Sequence, residues 1–153
     1  MIKCVYIDTS VFGGYFEDEF KEDTVPFFKE IKSRKIKILI SELLEVELYR
    51  APDEVKKLFQ SLPDGLIKRI KLTEEARALA DKYISENVVG KASRADCQHI
   101  ALATINCADV LVSWNFKHIV NLERIRGYNA VNFKEGYQMT EIRTPKEIFP
   151  HED

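Results

Sequence analysis

Short apolar runs alternate along this chain with longer stretches in which apolar residues recur every three or four positions. That is the pattern of strands and amphipathic helices taken in turn, and it predicts an α/β layer structure with a parallel sheet. Lys3 to Ile7 reads as the first strand. Thr24 followed by Pro26 reads as a helix start, with Phe27, Phe28 and Ile31 as its apolar face, and Ile36 to Ile40 as the second strand. Ser41 caps a helix running to about Arg50, Pro52 opens a further helical stretch, and Pro63-Asp64-Gly65 breaks it ahead of a short third strand within Leu66 to Leu72. Thr73 begins a helix in which Ala76, Leu79, Ala80, Tyr83 and Ile84 repeat at helical spacing, with Gly90 as its stop. Ser93 to about Cys107 is the next helix and Asp109 to Val112 the next strand. Asn115 to Arg126 reads as mostly helical, and Tyr128 to Phe133, with alternating side chains, as a last strand before a terminal turn at Thr144-Pro145.

Against this pattern three acids stand out of place. Asp8 ends the apolar run Cys4-Val5-Tyr6-Ile7, at the carboxyl end of a first strand, where open parallel sheets bind ligands. It also fits as the cap of a following helix, a job that Thr9 and Ser10 would do equally well. Glu47 shares a helix face with Leu43, Leu44 and Leu48, whereas Glu42 and Glu45 point toward solvent; a salt bridge to Arg50 is the alternative use of Glu47. Asp96 heads the stripe Asp96, Ile100, Ala103 and Cys107, and Ser93-Arg94-Ala95-Asp96 also fits a reciprocal capping box. Buried carboxylates without counter-charge cost several kcal/mol each or take up protons, so three that converge call for a cation. Asn115, after the apolar strand Val110-Leu111-Val112, adds a side chain that can hold a water but brings no charge.

Composition narrows the setting. With 153 residues, 45% of them hydrophobic, the chain suffices for one core, and residues 1–149 are expected to form a single domain with 150–153 as a C-terminal tail. A net charge of -2 provides no global field for nucleic acid, so any such binding needs a local basic patch. Lys91 and Arg94 at the start of the Asp96 helix, and Lys117 and His118 after Asn115, are the candidates for that rim. Tyr15 and Phe16 are candidates for stacking on a base or, alternatively, for packing, and His99 reads as a packed core histidine. No apolar run approaches the roughly 20 residues of a membrane span, and Met-Ile-Lys-Cys leads directly into a strand, which together predict a cytoplasmic protein. Cys4, Cys97 and Cys107 are odd in number, sit in apolar contexts and read as reduced core residues. Gly13-Gly14 lacks the Lys and the spacing of a phosphate-binding loop, which argues against a nucleotide-binding α/β domain.

Four segments together carry a resemblance: Tyr6-Ile7-Asp8-Thr9-Ser10-Val11, the Ser41 to Leu48 helix start, Ala95-Asp96 to Ala101-Leu102-Ala103, and Leu111-Val112-Ser113-Trp114-Asn115-Phe116. In order and spacing the chain resembles a PIN domain, the family that includes the VapC-type toxin ribonucleases, over nearly its whole length. The resemblance implies a three-layer α/β/α fold with a central, mainly parallel sheet. It implies a metal-dependent endoribonuclease cutting single-stranded RNA, with Mg²⁺ or Mn²⁺ as cofactor, Asp8, Glu47 and Asp96 at the metal, and Thr9, Ser10 and Ser113 supporting them. It further implies an antitoxin protein partner and a homodimer. The family's usual fourth acid falls on Asn115, a departure that removes one negative charge and weakens a second metal position most. A PIN domain that binds RNA or protein without turnover is therefore the alternative.

Overall fold

A computed structural model describes residues 1–149 of the chain. The C-terminal tail expected at 150–153 lies outside the described residues. Five strands, β1 (Cys4–Ile7), β2 (Lys37–Ser41), β3 (Ile67–Ile70), β4 (Val110–Val112) and β5 (Ile142–Arg143), form one sheet in the order β3-β2-β1-β4-β5. All four pairings are parallel. Seven helices flank the sheet: α1 (Thr9–Gly14), α2 (Lys21–Ser33), α3 (Glu42–Tyr49), α4 (Asp53–Gln60), α5 (Glu74–Ser85), α6 (Arg94–Ile105) and α7 (Leu122–Lys134).

The central strands are covered on both faces, which is why they read as continuous apolar runs rather than alternating ones. Side-chain alternation still divides them between two cores. Val5, Ile7, Ile38, Ile40, Val110 and Val112 pack with Phe12, Phe27, Phe28, Ile31, Leu44, Leu48, Val55 and Leu58 on one face. Tyr6, Leu39 and Leu111 pack with Leu79, Tyr83, Ile100, Ala103, Tyr128 and Val131 on the other. The three-layer arrangement expected from the resemblance is thus the one observed. From β1 the chain steps outward through β2 to β3, and the later strands β4 and β5 build on the opposite side of β1. The connections therefore diverge between β1 and β4, and the crevice at their carboxyl ends is the place where such sheets hold ligands.

Four elements differ from the sequence reading. The stretch expected as a last strand, Tyr128 to Phe133, lies inside α7, and the fifth strand is Ile142–Arg143 instead. What resembled alternation is a helical face: Tyr128, Asn129, Val131 and Asn132 are buried while Phe133 is exposed. The two buried amides are paired, Asn129 with the backbone of Thr140 at 2.7 and 3.0 Å and Asn132 with the Tyr83 hydroxyl at 2.5 Å, so polar letters at those positions disguised an inward face. Much of the segment from Asn115 is turn, and α7 starts only at Leu122, capped by Asn121. Helix α2 starts at Lys21, ahead of Thr24. The Thr24 hydroxyl donates back to the Phe20 carbonyl at 2.7 Å, and Pro26 is accommodated in the helix because it and Glu22, whose carbonyl it leaves without a donor, are both exposed. Helix α5 ends at Ser85, with Asn87 in the left-handed region, well before Gly90.

Candidate active site

Asp8 sits at the divergence of the sheet. Its backbone N–H donates to the Val112 carbonyl at 3.0 Å, extending the β1–β4 pairing by one residue, and its side chain is buried. Oδ1 accepts from the Thr9 N–H at 2.8 Å, capping α1, and Oδ2 accepts from the hydroxyls of Ser10 and Ser113, both at 2.8 Å. The cap and the site are therefore the same carboxylate. Ser10 also accepts the Trp114 N–H at 2.9 Å, which ties the ends of β1 and β4 together.

Glu47 reaches this point from α3, whose start is fixed by Ser41 Oγ accepting the Leu44 N–H at 3.0 Å. Its Oε1 accepts from the Thr9 hydroxyl at 2.8 Å and lies against His99 Nε2, and no ion pair with Arg50 occurs among the described residues. Asp96 enters from α6. The expected capping box does not form, because Ser93 makes no side-chain cap bond, and the Asp96 carboxylate turns instead to Asn115, accepting its Nδ2–H at 3.2 Å. Asn115 is locked in turn: its N–H donates to Ser113 Oγ at 2.9 Å and its Oδ1 accepts from the His118 N–H at 3.0 Å. Asp8, Thr9, Ser10, Glu47, Asp96, Ser113 and Asn115 thus belong to one hydrogen-bonded network at the crevice.

His99 is the residue whose role the sequence reading missed. It is buried, its Nε2 is 3.7 Å from Asp8 Oδ1 and hydrogen-bonded to Glu47, and its Nδ1 is 2.6 Å from the Tyr6 hydroxyl, which itself lies 2.8 Å from Ser41 Oγ. The signal was its spacing: three residues after Asp96 on a helix, it shares the face of Asp96 one turn deeper. The charges follow the geometry. Burial would lower the His99 pKa, but the Glu47 hydrogen bond and the charges of Asp8, Glu47 and Asp96 raise it above its ordinary value. Glu47 is lowered: burial acts to raise it, and His99 and Thr9 outweigh that. Asp96 is raised, by burial and by the charge of Asp8.

The basic rim is less uniform than expected. Lys91 and Lys117 are exposed. Arg94 is drawn away from the acids into an ion pair with Asp81 of α5. His118 is half-buried beside Asp96, its backbone carbonyl accepting the Tyr128 hydroxyl at 2.6 Å, and its Nδ1 is buried with no partner among the described residues. Tyr15 and Phe16 pack against each other and the core. Cys97 is buried, as expected, whereas Cys107 is exposed at a left-handed turn.

Among the described residues, no three His, Cys, Asp or Glu side chains are gathered into a ready metal cluster. His99 stands between Asp8 and Glu47, and Ser113 and Asn115 link Asp8 to Asp96. The donor chemistry nonetheless fits a hard cation, because the acids and the hydroxyls around them offer oxygen only.

No model of a known protein family matches the sequence, and no curated protein matches it significantly. Solved structures do match the fold. VapBC2 from Rickettsia felis, bound to a DNA fragment from their promoter, aligns over 92% of this chain and 98% of its own with TM-score 0.54 and 14% identity. FitAB bound to an IR36 DNA fragment aligns over 97% and 99% with TM-score 0.59 and 13% identity. FitAcB from Neisseria gonorrhoeae aligns over 94% and 99% with TM-score 0.57 and 14% identity. The chain has a PIN-like fold. Among the described residues no helix is long and apolar enough to cross a membrane.

Proposed function

We propose that this chain is a Mg²⁺- or Mn²⁺-dependent endoribonuclease that hydrolyses phosphodiester bonds of single-stranded RNA, and that it is the toxin of a toxin–antitoxin pair. The observation that carries the reading is that Asp8, Glu47 and Asp96 belong to one hydrogen-bonded network at the divergent carboxyl ends of β1 and β4, with the buried His99 between Asp8 and Glu47. A divalent cation would offset the negative charge that Asp8, Glu47 and Asp96 bring to the crevice. A bound Mg²⁺ or Mn²⁺ supplies neutralisation of the scissile phosphate and a lowered pKa for the attacking water.

The chain's own groups set the rest. Ser10 and Ser113 both donate to Oδ2 of Asp8, so that carboxylate is fixed in orientation. Thr9 and His99 grip the same Oε1 of Glu47, leaving Oε2 as the outward oxygen to orient water. Asp96 stands across the crevice with Asn115 as its amide support. Lys91 and Lys117 supply positive charge along the rim, with His118 beside Asp96, and Arg94 contributes only when its pair with Asp81 opens. An antitoxin that covers the crevice, and a homodimer as the working unit, belong to the same reading; the alignment with VapBC2 and FitAB, both held on DNA, supports a partner protein.

A second reading has its own observation. Asn115 stands at the fourth acid position and donates to Asp96, spending a lone pair that a metal would use, which favours an RNA- or protein-binding module without turnover. Cleavage of a mixed pool of single-stranded RNAs with Mn²⁺ or Mg²⁺, by the parent and by Asp8→Asn and Asp96→Asn, separates them. Cutting that both substitutions abolish supports the nuclease. RNA binding without cutting supports the module.

A further inference from the structure

We infer that Phe116 is a platform on which an unpaired nucleobase stacks beside the acidic crevice. This rests on the nuclease reading and names how the site engages its single strand. Phe116 is 50% exposed on the loop that leaves β4. The loop holds it there. Ser113 is bound to Asp8, the Trp114 N–H to Ser10, the Asn115 side chain to Asp96 and to the His118 N–H, and the Asn115 carbonyl to the N–H groups of Ile119 and Val120 at 3.1 and 2.8 Å. The backbone on either side of Phe116 is therefore tied to the carboxylate network.

Beneath it lies a built aromatic seat. The Trp114 indole is buried, stacked on Phe20 at 4.5 Å between ring centres, with its Nε1–H donated to Thr24 Oγ1 at 2.8 Å. Its ring occupies the space a Cβ on Gly14 would need, 2.7 Å from Cδ1. Phe116 packs on this pair, 6.1 Å from Trp114 and 6.3 Å from Phe20, and leaves the rest of its ring to solvent. The outer part of the ring is left to solvent, and an unpaired base gains stacking on it whatever its identity. The charges agree with a nucleic-acid occupant: exposed Lys117 is the next residue and offers a phosphate contact. Asn115, the preceding residue, is bonded to Asp96, so the loop that bears Phe116 is anchored at the acidic crevice. Tyr15 and Phe16 are partly buried and pack against the core and each other.

The test uses the full chain, fluorescein-labelled single-stranded RNA of mixed sequence, and a strand of equal length built from abasic sugar-phosphate, with Ca²⁺ in place of Mg²⁺. Phe116→Leu keeps apolar volume on Trp114 but has no ring, and Phe116→Trp keeps a ring. Phe116→Leu is expected to weaken the base-bearing strand about 5- to 150-fold. Phe116→Trp should bind like the parent, and the abasic strand should bind all three proteins alike. Equal binding of the base-bearing strand by parent and Phe116→Leu overturns the inference. So does a loss that is the same on the abasic strand, a parent that binds neither strand, or a fall from dimer to monomer on sedimentation of Phe116→Leu, which would make the ring a contact between copies. Cleavage with Mn²⁺ is read separately. A parent that cuts with a KM indifferent to Phe116 removes the platform and keeps the nuclease; Phe116-dependent binding without cutting keeps the platform and removes the nuclease.

Discussion

His99 Nδ1 lies 2.6 Å from the Tyr6 hydroxyl, in the middle of a buried chain that runs from Ser41 through Tyr6 and His99 to Glu47. The Tyr6 hydroxyl thus joins the cap of α3 to the imidazole that grips the acid of the same helix. Burial raises the Tyr6 pKa far above its ordinary value, so the phenol keeps its proton and serves only as a hydrogen-bonding link. Tyr6→Phe removes the link and leaves the buried His99 Nδ1 without its partner, while Ser41 Oγ keeps the Leu44 N–H. The variant is expected to lose about 1–3 kcal/mol of stability in urea denaturation and, with Glu47 less firmly held, to cut RNA more slowly at unchanged KM. An unaltered urea midpoint would mean that His99 is positioned by its contact with Glu47 alone.

The same network sets a pH dependence for the metal-free protein. Because the folded chain holds the His99 proton more tightly than the unfolded chain, the contribution of that proton is complete below the ordinary value of 6.5 and lost as pH rises through the higher folded value. Glu47 has the opposite sign: its contribution is present above 4.5 and lost as pH falls through the lowered folded value. In EDTA the urea midpoint should therefore fall as pH is raised above about 6.5, and His99→Gln should lack that fall. A parent profile that matches His99→Gln through this range would show that His99 is neutral in the folded chain.

Asp96 is expected to separate stability from function. Its carboxyl is raised by burial and by Asp8, so ionising it opposes folding at neutral pH. Asp96→Asn keeps an acceptor for the Asn115 amide and removes the charge. Its metal-free form should have a urea midpoint above the parent's, by an amount limited by the partial exposure of the carboxyl, while Mn²⁺ binding, followed calorimetrically, is lost. Asp8→Asn should also lose the metal but without that gain, because it breaks the acceptor that Thr9, Ser10 and Ser113 share.

What the sequence made legible follows from how local each signal is. The strands β1, β2 and β4 and the caps Ser41 and Thr73 depend on neighbours a few residues away, and they lie where apolar runs and cap letters put them. Asp8, Glu47 and Asp96 were marked because each broke such a pattern. His99 broke none, since a histidine suits a packed helix face, and its partners Tyr6 and Glu47 are 93 and 52 residues away. The same blindness turned α7 into a strand: Asn129 and Asn132 look solvated until Thr140 and Tyr83 are seen beside them. Arg94 read as an RNA contact because Asp81, its partner on α5, is close only once the helices pack.

Gly14 and Trp114 give a test of the seat beneath the crevice. A Cβ at Gly14 would lie 2.7 Å from Cδ1 and 2.8 Å from Nε1 of the indole, and the ring cannot yield toward Phe20, which is stacked on it. Gly14→Ala is expected to cost about 1–3 kcal/mol through overpacking, more than the helical preference for Ala returns. Trp114 is the only tryptophan of the chain, so the displacement is visible directly as a change in emission maximum and in acrylamide quenching. Unchanged emission together with parental stability would show that the loop after β4 shifts freely, contrary to its hydrogen bonding.

The cysteines distinguish packing from exposure without touching the site. Cys107 is exposed and free, Cys4 is partly covered, and Cys97 is buried against α5 and α7 with its thiol pushed up to about 12, first by burial and then by the charge of Asp96. A disulfide-exchange reagent at neutral pH should modify Cys107 rapidly and Cys4 more slowly, since burial and the charge of Asp109 raise the Cys4 thiol as well. Cys97 should react only at the rate of unfolding, and adding urea should bring all three into one fast phase. Modification of Cys97 in the native protein at a rate independent of urea would mean that the start of α6 opens locally, taking Asp96 with it; retention of its protection while Cys107 is blocked would show that the helix bearing Asp96 and His99 is held as firmly as the core it packs on.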